Sequence, residues 1–420
     1  MIIGIPKETA KGENRVAASI ETITNFIKVG ATVVVEKGAA NGSNISDADL
    51  KEAGALVKTA KDVFAADLVL KVKAPSAKEI DMMNAKSQLC CLLDPFNNEQ
   101  IVKKLAAAKI ESYAMEFMPR ISRAQSMDVL SSQSNIAGYK AVLDGVELYP
   151  KAVPLFMTSA GTVPPARFCI IGAGVAGLQA IATAKRLGGQ VFAFDVRLAA
   201  KEQVESLGAK FVSVEGAEDL ETKDGYAKEA SASYKKKQAE ALAKTLSETD
   251  IVITTALIPG RKAPVVITKD MIKGMKSGSI IVDLAAESGG NAEGTVVGKT
   301  TLVSGVKIIG CQDINSSVAE TCSNLYAKNL WNFLSPHFGE ESKELAINYD
   351  DETVSGTLIT KGGKVVNERL ADPKPVAKKK APAKKKAPAK KPAAKKPAAK
   401  KTTAKKKPAA KKSAVKKGKK

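Results

Sequence analysis

A glycine-rich turn between a predicted strand and a predicted helix constrains the fold of this chain more than any other feature. Residues 167–177 have the sequence Arg-Phe-Cys-Ile-Ile-Gly-Ala-Gly-Val-Ala-Gly, in which an apolar run leads into the pattern G-x-G-x-x-G. Gly172 allows the tight turn, Gly174 lets a pyrophosphate approach the backbone, and Gly177 allows the helix to pack closely on the sheet. The N–H groups and the dipole of the helix N-terminus favour the same anion. The residues predicted to contact a dinucleotide are Gly172, Gly174, Val175, Ala176 and Gly177.

An acidic residue ends the next predicted strand. Asp195 follows the apolar run Val191–Phe194, where a carboxylate accepts hydrogen bonds from the adenosine ribose and repels a 2′-phosphate. NAD(H) is therefore favoured over NADP(H), with Val196 completing the ribose site. Arg197 leaves the alternative open, because a guanidinium can also bind a phosphate. A glycine turn that binds nothing is the other interpretation, and the strand, helix and acid together disfavour it.

Alternating apolar runs and helix-forming segments predict two α/β domains with parallel, doubly wound, Rossmann-like sheets. The predicted strands of the first block are Ile2–Ile5, Ala31–Glu36, Asp67–Lys73, Gln88–Leu93 and Ile110–Phe117. Those of the second block are Phe168–Ile171, Gln190–Val196, Ala209–Val214, Asp250–Ala256, Ser279–Leu284 and Lys307–Gly310. Most are continuous apolar runs, which are typical of strands covered on both faces. The predicted helix N-caps of the first block are Ser19, Ser46 and Ser76.

Two long helical segments, at about Ser126–Leu148 and Val318–Leu334, suit the role of connections between the two domains. We therefore expect an N-terminal α/β domain from residues 1–125 that is completed by residues 335–372. Residues 126–334 form the dinucleotide-binding domain with its linking helices. Residues 373–420 form a separate basic tail.

The tail holds the excess positive charge of the chain. Residues 373–420 contain 22 lysines and no acidic residue, so the net charge of +21 leaves residues 1–372 with −1. A segment of Lys, Ala and Pro buries too little apolar surface to offset its ordering entropy, which predicts disorder. One hypothesis places the tail on an anionic membrane surface, and a second places it on nucleic acid. A third leaves it solvated without a fixed partner.

The cysteines and the N-terminus indicate a reducing, cytoplasmic environment. The spacing of the five cysteines fits neither a disulfide framework nor a metal site. They are Cys90, Cys91, Cys169, Cys311 and Cys322. The N-terminal sequence lacks the pattern of a secretory signal, and no apolar run reaches the roughly 18–20 residues of a spanning helix.

Three polar segments are further site candidates, each with a plainer interpretation. The run 120–131 contains Arg120, Gln125, Asp128 and Ser131, and is either a solvated helix start or a cluster of functional groups. The loop Asp283–Asn291 follows a buried strand and either lines the ligand crevice or is a surface turn. The segment 216–237, with Tyr226, is either a mobile flap or a solvated insertion.

These motifs together resemble the alanine dehydrogenase/transhydrogenase α-subunit family, over essentially all of residues 1–372. The similar features are Pro6-Lys7-Glu8, Glu13-Asn-Arg15-Val-Ala, Leu70–Pro75 and Gly172–Gly177. Alanine dehydrogenases use a catalytic histidine in the N-terminal domain, whereas this chain has no histidine before His337. Transhydrogenases need no such base, because hydride passes directly between two nicotinamides. The resemblance thus favours the transhydrogenase branch, and we treat the retained Arg15 and Lys73, which resemble a substrate-carboxylate pair, as structural inheritance.

The resemblance also implies roles for the polar segments. Arg120, Asp128 and Ser131 would hold the nicotinamide, and Gln125 would lie between two facing nucleotides. Tyr226 would belong to a loop that closes over bound NAD(H).

The same resemblance implies that the chain dimerises. It would dock a membrane-spanning, proton-conducting subunit and a component that binds NADP(H), at the inner face of the membrane. The alternatives left open are an amino-acid dehydrogenase and a DNA-associated NAD-binding protein that acts through its tail.

Overall fold

Two largely parallel β-sheets organise the residues that the computed structural model describes, which are 1–214, 231–257, 261–339 and 344–370. Residues 1–372 form one compact unit. The predicted α/β class is confirmed. The strands are β1 Ile2–Ile5, β2 Thr32–Glu36, β3 Leu56–Lys58, β4 Leu68–Lys73, β5 Gln88–Leu92, β6 Glu111–Ala114, β7 Phe156–Thr158, β8 Gly161–Val163, β9 Arg167–Ile171, β10 Gln190–Phe194, β11 Lys210–Phe211, β12 Ile251–Thr254, β13 Ile280–Asp283, β14 Thr300–Val303, β15 Val306–Gly310, β16 Leu358–Lys361 and β17 Lys364–Val365.

The first sheet has the strand order β17-β16-β6-β5-β4-β1-β2-β3. Its strand pairs are parallel except at the C-terminal edge, where β16 pairs antiparallel with β6 and β17 pairs antiparallel with β16. The second sheet has the order β11-β10-β9-β12-β13-β15-β14, in which β14 is antiparallel to β15. A separate two-stranded hairpin is formed by β7 and β8.

Helices cover both sheets. They are α1 Ile20–Lys28, α2 Asp47–Glu52, α3 Ala60–Phe64, α4 Ala77–Ile80, α5 Glu99–Ala107, α6 Val129–Leu148, α7 Val175–Arg186, α8 Ala200–Ser206, α9 Ala232–Ser247, α10 Lys269–Lys273, α11 Ala319–Leu334 and α12 Glu352–Thr357. Ser19, Ser46 and Ser76 cap α1, α2 and α4 as predicted, each accepting a hydrogen bond from the backbone N–H three residues on. Every residue of β12 and β13 is buried, as expected for central strands between two helical layers.

Helices α6 and α11 join the two halves of the structure. The ring and apolar side chains of Tyr326, Leu330 and Phe333 on α11 lie in the core of the first sheet. The backbone of α6 at Gly145 lies so close to the second sheet that a Cβ there would stand 3.0 Å from the Ile251 side chain. The Ser132 hydroxyl on α6 donates a hydrogen bond to Asn329 on α11 at 2.6 Å. The two helices thus form the connection between the sheets.

Several elements differ from the sequence prediction. The long helix begins at Val129 rather than near Ser126, because residues Ser122–Met127 form a 3₁₀ turn before it. The strands β3, β14, β16 and β17 and the hairpin pair β7–β8 were not predicted. The predicted domain boundaries stay predictions. Among the described residues, no helix combines the length and apolar character needed to cross a bilayer.

Candidate nucleotide-binding site

The glycine-rich turn lies at the switch point of the second sheet. The chain runs from β9 to β10 and β11 on one side and then to β12 on the other side of β9. A crevice is therefore expected outside the carboxyl ends of β9 and β12. Gly172 follows β9, and the Thr255 hydroxyl just after β12 donates a hydrogen bond to the Gly172 carbonyl oxygen at 3.0 Å. The two strand ends thus support one turn.

Two positions of the turn leave no room for a side chain. Gly172 has a φ of +95°, in the left-handed region that favours glycine. A Cβ on Gly172 would stand 2.5 Å from the Thr255 hydroxyl, and one on Gly177 would stand 1.8 Å from the Gly172 carbonyl oxygen. A larger residue at either position would force strand, turn and helix apart.

Gly174 opens the turn toward solvent. A Cβ added there would meet no atom within 4 Å. Gly174 is the N-cap of α7 and offers no side-chain acceptor to the N–H groups of the first helical turn, and Val175 beside it is exposed. Open space next to an uncapped helix N-terminus fits a pyrophosphate, which would satisfy these N–H groups and the helix dipole.

Asp195 is fixed beside the turn by four hydrogen bonds. Its Oδ2 accepts from the Ala173 N–H at 2.7 Å and from Arg197 Nη2 at 2.9 Å. Its Oδ1 accepts from the Arg197 backbone N–H at 2.8 Å and from Arg197 Nε at 2.9 Å. The structure therefore brings Asp195 and Arg197 together at the turn. A ribose can reach the carboxylate if the Arg197 side chain shares it or moves away, and Val196 is half-buried against the apolar cluster beneath.

The polar run 120–131 divides into two structures. Gln125 lies exposed in the 3₁₀ turn Ser122–Met127, and Arg120 lies exposed before it. Asp128 is the N-cap of α6, and its carboxylate accepts hydrogen bonds from the Ser131 N–H at 3.0 Å and the Ser131 hydroxyl at 2.5 Å. Asp128 and Ser131 thus form one cluster, and the four side chains do not share a single helical face.

The crevice loop after β13 is built on a buried carboxylate. Asp283 accepts hydrogen bonds from the Asn291 N–H at 2.7 Å and the Thr295 hydroxyl at 2.7 Å, among others. The Asn291 side chain in turn donates to the carbonyl oxygens of Ala256 and Pro264, both at 2.8 Å. This network ties the loop after β13 to Ala256 and Pro264, which follow β12 at the carboxyl edge of the sheet.

Charged residues meet where this edge approaches the first half of the chain. Arg15 forms a two-point ion pair with Glu13 at 2.6 and 2.8 Å and donates to Gln133 at 2.9 Å. Burial alone would raise the pKa of Glu13, but the hydrogen bonds from Arg15 outweigh it and the pKa is lowered. Lys73 is ion-paired with Asp313. Both cations therefore have partners within the chain.

Two carboxylates of this cluster, Asp313 and Glu287, were not predicted individually as site residues, although Glu287 lies in the candidate loop Asp283–Asn291. Burial raises the pKa of Glu287, and the nearby charge of Asp313 raises it further. Asp313 is a non-glycine residue with a φ of +46°. Its partner Lys73 lies 240 positions away in the sequence, so no local pattern could have indicated the pair.

One predicted site residue, Tyr226, lies outside the described residues, as does most of the segment 216–237. In the part of the chain that the structure describes, no group of His, Cys, Asp and Glu side chains is arranged to hold a metal ion.

Family comparisons match both halves of the chain. Residues 4–137 match the alanine dehydrogenase/PNT N-terminal domain, and residues 141–368 match the alanine dehydrogenase/PNT C-terminal domain. The chain belongs to the alanine dehydrogenase/PNT family. The resemblance inferred from its motifs is thereby confirmed.

Relatives in the alanine dehydrogenase/PNT family come from both branches. The chain is 51% identical to the first part of NAD(P) transhydrogenase subunit alpha of Rhodospirillum rubrum, over 88% of this chain and 99% of that protein. It is similar to the solved structure of transhydrogenase from Sinorhizobium meliloti, with a TM-score of 0.80 and 49% identity over 87% of this chain and 100% of that one. It is 34% identical to alanine dehydrogenase 2 of Staphylococcus aureus, over 70% of this chain and 74% of that protein.

Proposed function

We propose that this chain is the NAD(H)-binding component of a proton-translocating nicotinamide nucleotide transhydrogenase. It holds NAD(H) at the glycine-rich turn and presents it to NADP(H) on a partner component, while a membrane subunit couples the exchange to proton movement. The observation that carries the proposal is the glycine-rich turn itself, where open space, an uncapped helix N-terminus and the fixed carboxylate of Asp195 coincide. The 51% identity to a transhydrogenase subunit, over 99% of that subunit, supports the transhydrogenase branch of the family over the alanine dehydrogenase branch.

Each portion of the site has a separate task in this proposal. The N–H groups of Val175, Ala176 and Gly177 bind the pyrophosphate, and Asp195 with Val196 and Arg197 binds the adenosine ribose. Arg120, Asp128 and Ser131 hold the nicotinamide end. Gln125, which is exposed, lies between the two facing nucleotides. Tyr226 closes over the bound molecule.

Hydride exchange requires orientation rather than a base. The reduced nicotinamide supplies a hydride, which carries both electrons of its C–H bond to the second nicotinamide, and no substrate proton is released. The chain therefore has to align the nicotinamide and exclude water.

The only histidine, His337, is buried on the Phe333 ring, and its Nδ1 accepts a hydrogen bond from the Asn348 N–H at 3.4 Å. Burial lowers its pKa. These contacts suit a core residue better than the general base of an amino-acid dehydrogenase, which disfavours the second candidate activity.

A reconstitution assay tests the proposal. The purified chain is mixed with an NADP(H)-binding transhydrogenase component, and reduction of thio-NADP⁺ by NADH is followed. We expect hydride transfer only when both components are present, and no oxidation of alanine by the chain with NAD⁺. Failure to bind NADH, absence of transfer with every partner present, or unaided deamination of alanine would each refute the proposal.

The exposed hairpin β7–β8 supports the proposed homodimer. All six of its strand residues are exposed, and Leu155, Phe156 and Met157 leave 55%, 46% and 82% of their surfaces in solvent. A contiguous apolar surface of this kind is typical of an interface. We expect Met157→Asp to convert a dimer to a monomer in analytical ultracentrifugation, and Leu302→Asp, at a similarly exposed site on β14, to leave the dimer intact. A wild-type monomer, or a dimer unaffected by Met157→Asp, would refute this role.

The lysine-rich residues 373–420 lie outside the described residues, and their partner stays a prediction. A peripheral position at the cytoplasmic face follows from the proposed membrane subunit, and the lysines would add attraction to anionic lipid. Co-sedimentation of the full chain and of residues 1–372 with anionic vesicles and with duplex DNA separates the two tail hypotheses. Equal binding by both proteins would remove both.

A further inference from the structure

Two external ties hold the 3₁₀ turn Ser122–Met127, one on each side of Gln125. Arg123 donates from Nη1 to Asp351 Oδ2 at 2.8 Å, and its Nη2 contacts Oδ1 of the same carboxylate. The Ser126 carbonyl oxygen accepts hydrogen bonds from the side-chain amides of Asn329 at 2.8 Å and Asn332 at 2.9 Å. Arg123 lies two residues before Gln125, and Ser126 follows it directly.

Asp351 is a fixed anchor for Arg123. It is the N-cap of α12, where its Oδ1 also accepts hydrogen bonds from the Thr353 N–H at 2.7 Å and the Thr353 hydroxyl at 2.6 Å. Its side chain is largely buried, whereas that of Arg123 is half exposed. The hydrogen bonds from Arg123 hold the pKa of Asp351 well below its usual range. The C-terminal segment therefore offers a rigid, fully charged partner to the turn.

The turn needs such support because a 3₁₀ helix of six residues has poor hydrogen-bond geometry and does not hold its own shape. Two of its side chains, Ala124 and Met127, are buried in the hydrophobic core of the first sheet and hold the buried side of the turn in place. Gln125 between them is exposed, so its direction depends on how the backbone is held at positions 123 and 126. In hydride transfer, a displacement of about 1 Å at such a position can cost roughly 100-fold in rate.

We infer that Arg123 and Asp351 are positioning residues for hydride transfer: their ion pair sets where Gln125 and Arg120 stand against the nicotinamide. The inference rests on the proposed function. The contacts described for Arg123 and Asp351 do not include the glycine-rich turn. We therefore expect their ion pair to affect the rate of hydride transfer and to have little effect on NADH affinity. Because the Arg123 side chain is half exposed, we expect its loss to cost little stability and to leave the fold intact.

A double-mutant cycle tests this role. Arg123→Gln removes the cation, and Asp351→Asn removes the charge while keeping a residue that can still cap α12. With the NADP(H)-binding component at saturating nucleotide, we expect each single variant to lower the single-turnover transfer rate about tenfold. The double variant should be no slower than either single one, because both changes break the same tie. The Kd for NADH, measured by fluorescence, should stay within about twofold.

Lys328→Gln is the matched control, since Lys328 on α11 forms an exposed ion pair with Glu21 at 3.3 Å that does not touch the turn. It should change neither rate nor affinity. The inference would be overturned if the single variants transferred hydride at the wild-type rate. It would also be overturned if the rate losses of the two single variants multiplied in the double variant, or if the rate losses simply followed a lowered melting temperature.

Amide hydrogen exchange gives a readout that needs no partner component. Amide exchange across residues 122–127 should be faster in both single variants than in the wild type. In the double variant it should be no faster than in either single variant. Unchanged exchange would also overturn the inference. If the wild-type chain fails to transfer hydride, the proposed function is wrong, whereas the exchange experiment still decides whether the ion pair positions the turn.

Discussion

Gly138 on α6 lies directly against the carbonyl oxygen of Ala176 on α7, so close that a Cβ at position 138 would stand 2.0 Å from that oxygen. The contact joins the two halves of the proposed site. Helix α6 begins at its cap Asp128, and α7 begins at the glycine-rich turn. The distance between the Asp128–Ser131 cluster and the glycine-rich turn is therefore set by how these two helices cross.

Gly138→Ala should separate the two helices. An alanine gains about 1 kcal/mol of helix propensity over glycine, but a clash with backbone costs about 1–3 kcal/mol or more in a packed interior. The clash therefore wins, and we expect a lower free energy of unfolding in urea together with a roughly tenfold weaker NADH affinity.

Gly274→Ala serves as the control, because a Cβ at that position makes only ordinary contact, at 3.4 Å from the Met271 carbonyl oxygen. If Gly138→Ala has the same stability and the same NADH affinity as the wild type, the contact between Gly138 and Ala176 does not set the helix crossing.

We expect cofactor choice to depend on the pairing of Asp195 with Arg197. The carboxylate accepts hydrogen bonds from Nε and Nη2 of the guanidinium, and in the proposed function this pairing keeps Arg197 from binding a 2′-phosphate. In Asp195→Ser the guanidinium is released from the carboxylate, and charge-assisted hydrogen bonds to a phosphate contribute about 1.5–3 kcal/mol. We expect the Kd for NADPH to fall by about tenfold or more and the Kd for NADH to rise by a similar factor, both measured by fluorescence titration.

The double variant Asp195→Ser/Arg197→Gln provides the comparison. It should lose the NADPH gain and keep the NADH loss. If Asp195→Ser leaves both affinities unchanged, the ribose site lies elsewhere.

Glu116 should make the fold less stable as the pH rises. Burial raises its pKa to about 7 from the ordinary value of 4.5, although its carboxylate accepts hydrogen bonds from the backbone N–H groups of Leu93 and Asp94. Between these two pKa values the unfolded chain loses its proton while the folded chain keeps it, so the contribution to stability is fully present below pH 4.5 and is lost as the pH rises through 7.

Urea unfolding at about pH 5, 6, 7 and 8 measures this slope. The wild-type chain should lose a few kcal/mol more than Glu116→Gln over that range. Parallel profiles for the two proteins would show that Glu116 keeps a normal pKa in the fold.

The central strands of the fold were predictable from the sequence because they bury continuous apolar runs. Strands β9, β12 and β13 are such runs, and the glycine-rich turn follows from residue spacing alone. The edge strand β14 was missed because its residues are largely exposed, with Leu302 at 71%, so it lacks a buried apolar face. The hairpin β7–β8 was missed for the same reason. Half-exposed edge strands show little apolar periodicity in the sequence, because their strand conformation depends mainly on pairing with the neighbouring strand.

The candidate site was less predictable than the sheets. Residue types near Gly172 and Asp195 indicated a dinucleotide, but the pairing of Asp195 with Arg197 depends on a side-chain rotation that no spacing determines. The tie from Arg123 to Asp351 spans 228 positions. Such contacts depend on the C-terminal segment joining the first sheet, and that pairing has no local signature.

Substitutions at Asp128 can separate its role as the N-cap of α6 from its proposed role at the nicotinamide. Its carboxylate caps α6 by accepting the Ser131 N–H at 3.0 Å. Asparagine caps nearly as well as aspartate, whereas alanine does not, and loss of a cap costs about 1 kcal/mol. Asp128→Asn should therefore keep the melting temperature of the wild type, while Asp128→Ala should lower it by a few degrees. If the negative charge holds the nicotinamide, both variants should lower hydride transfer by about tenfold, so that Asp128→Asn is stable yet slow. Full activity in Asp128→Asn would restrict this residue to a cap and move the nicotinamide contact to Arg120 and Ser131.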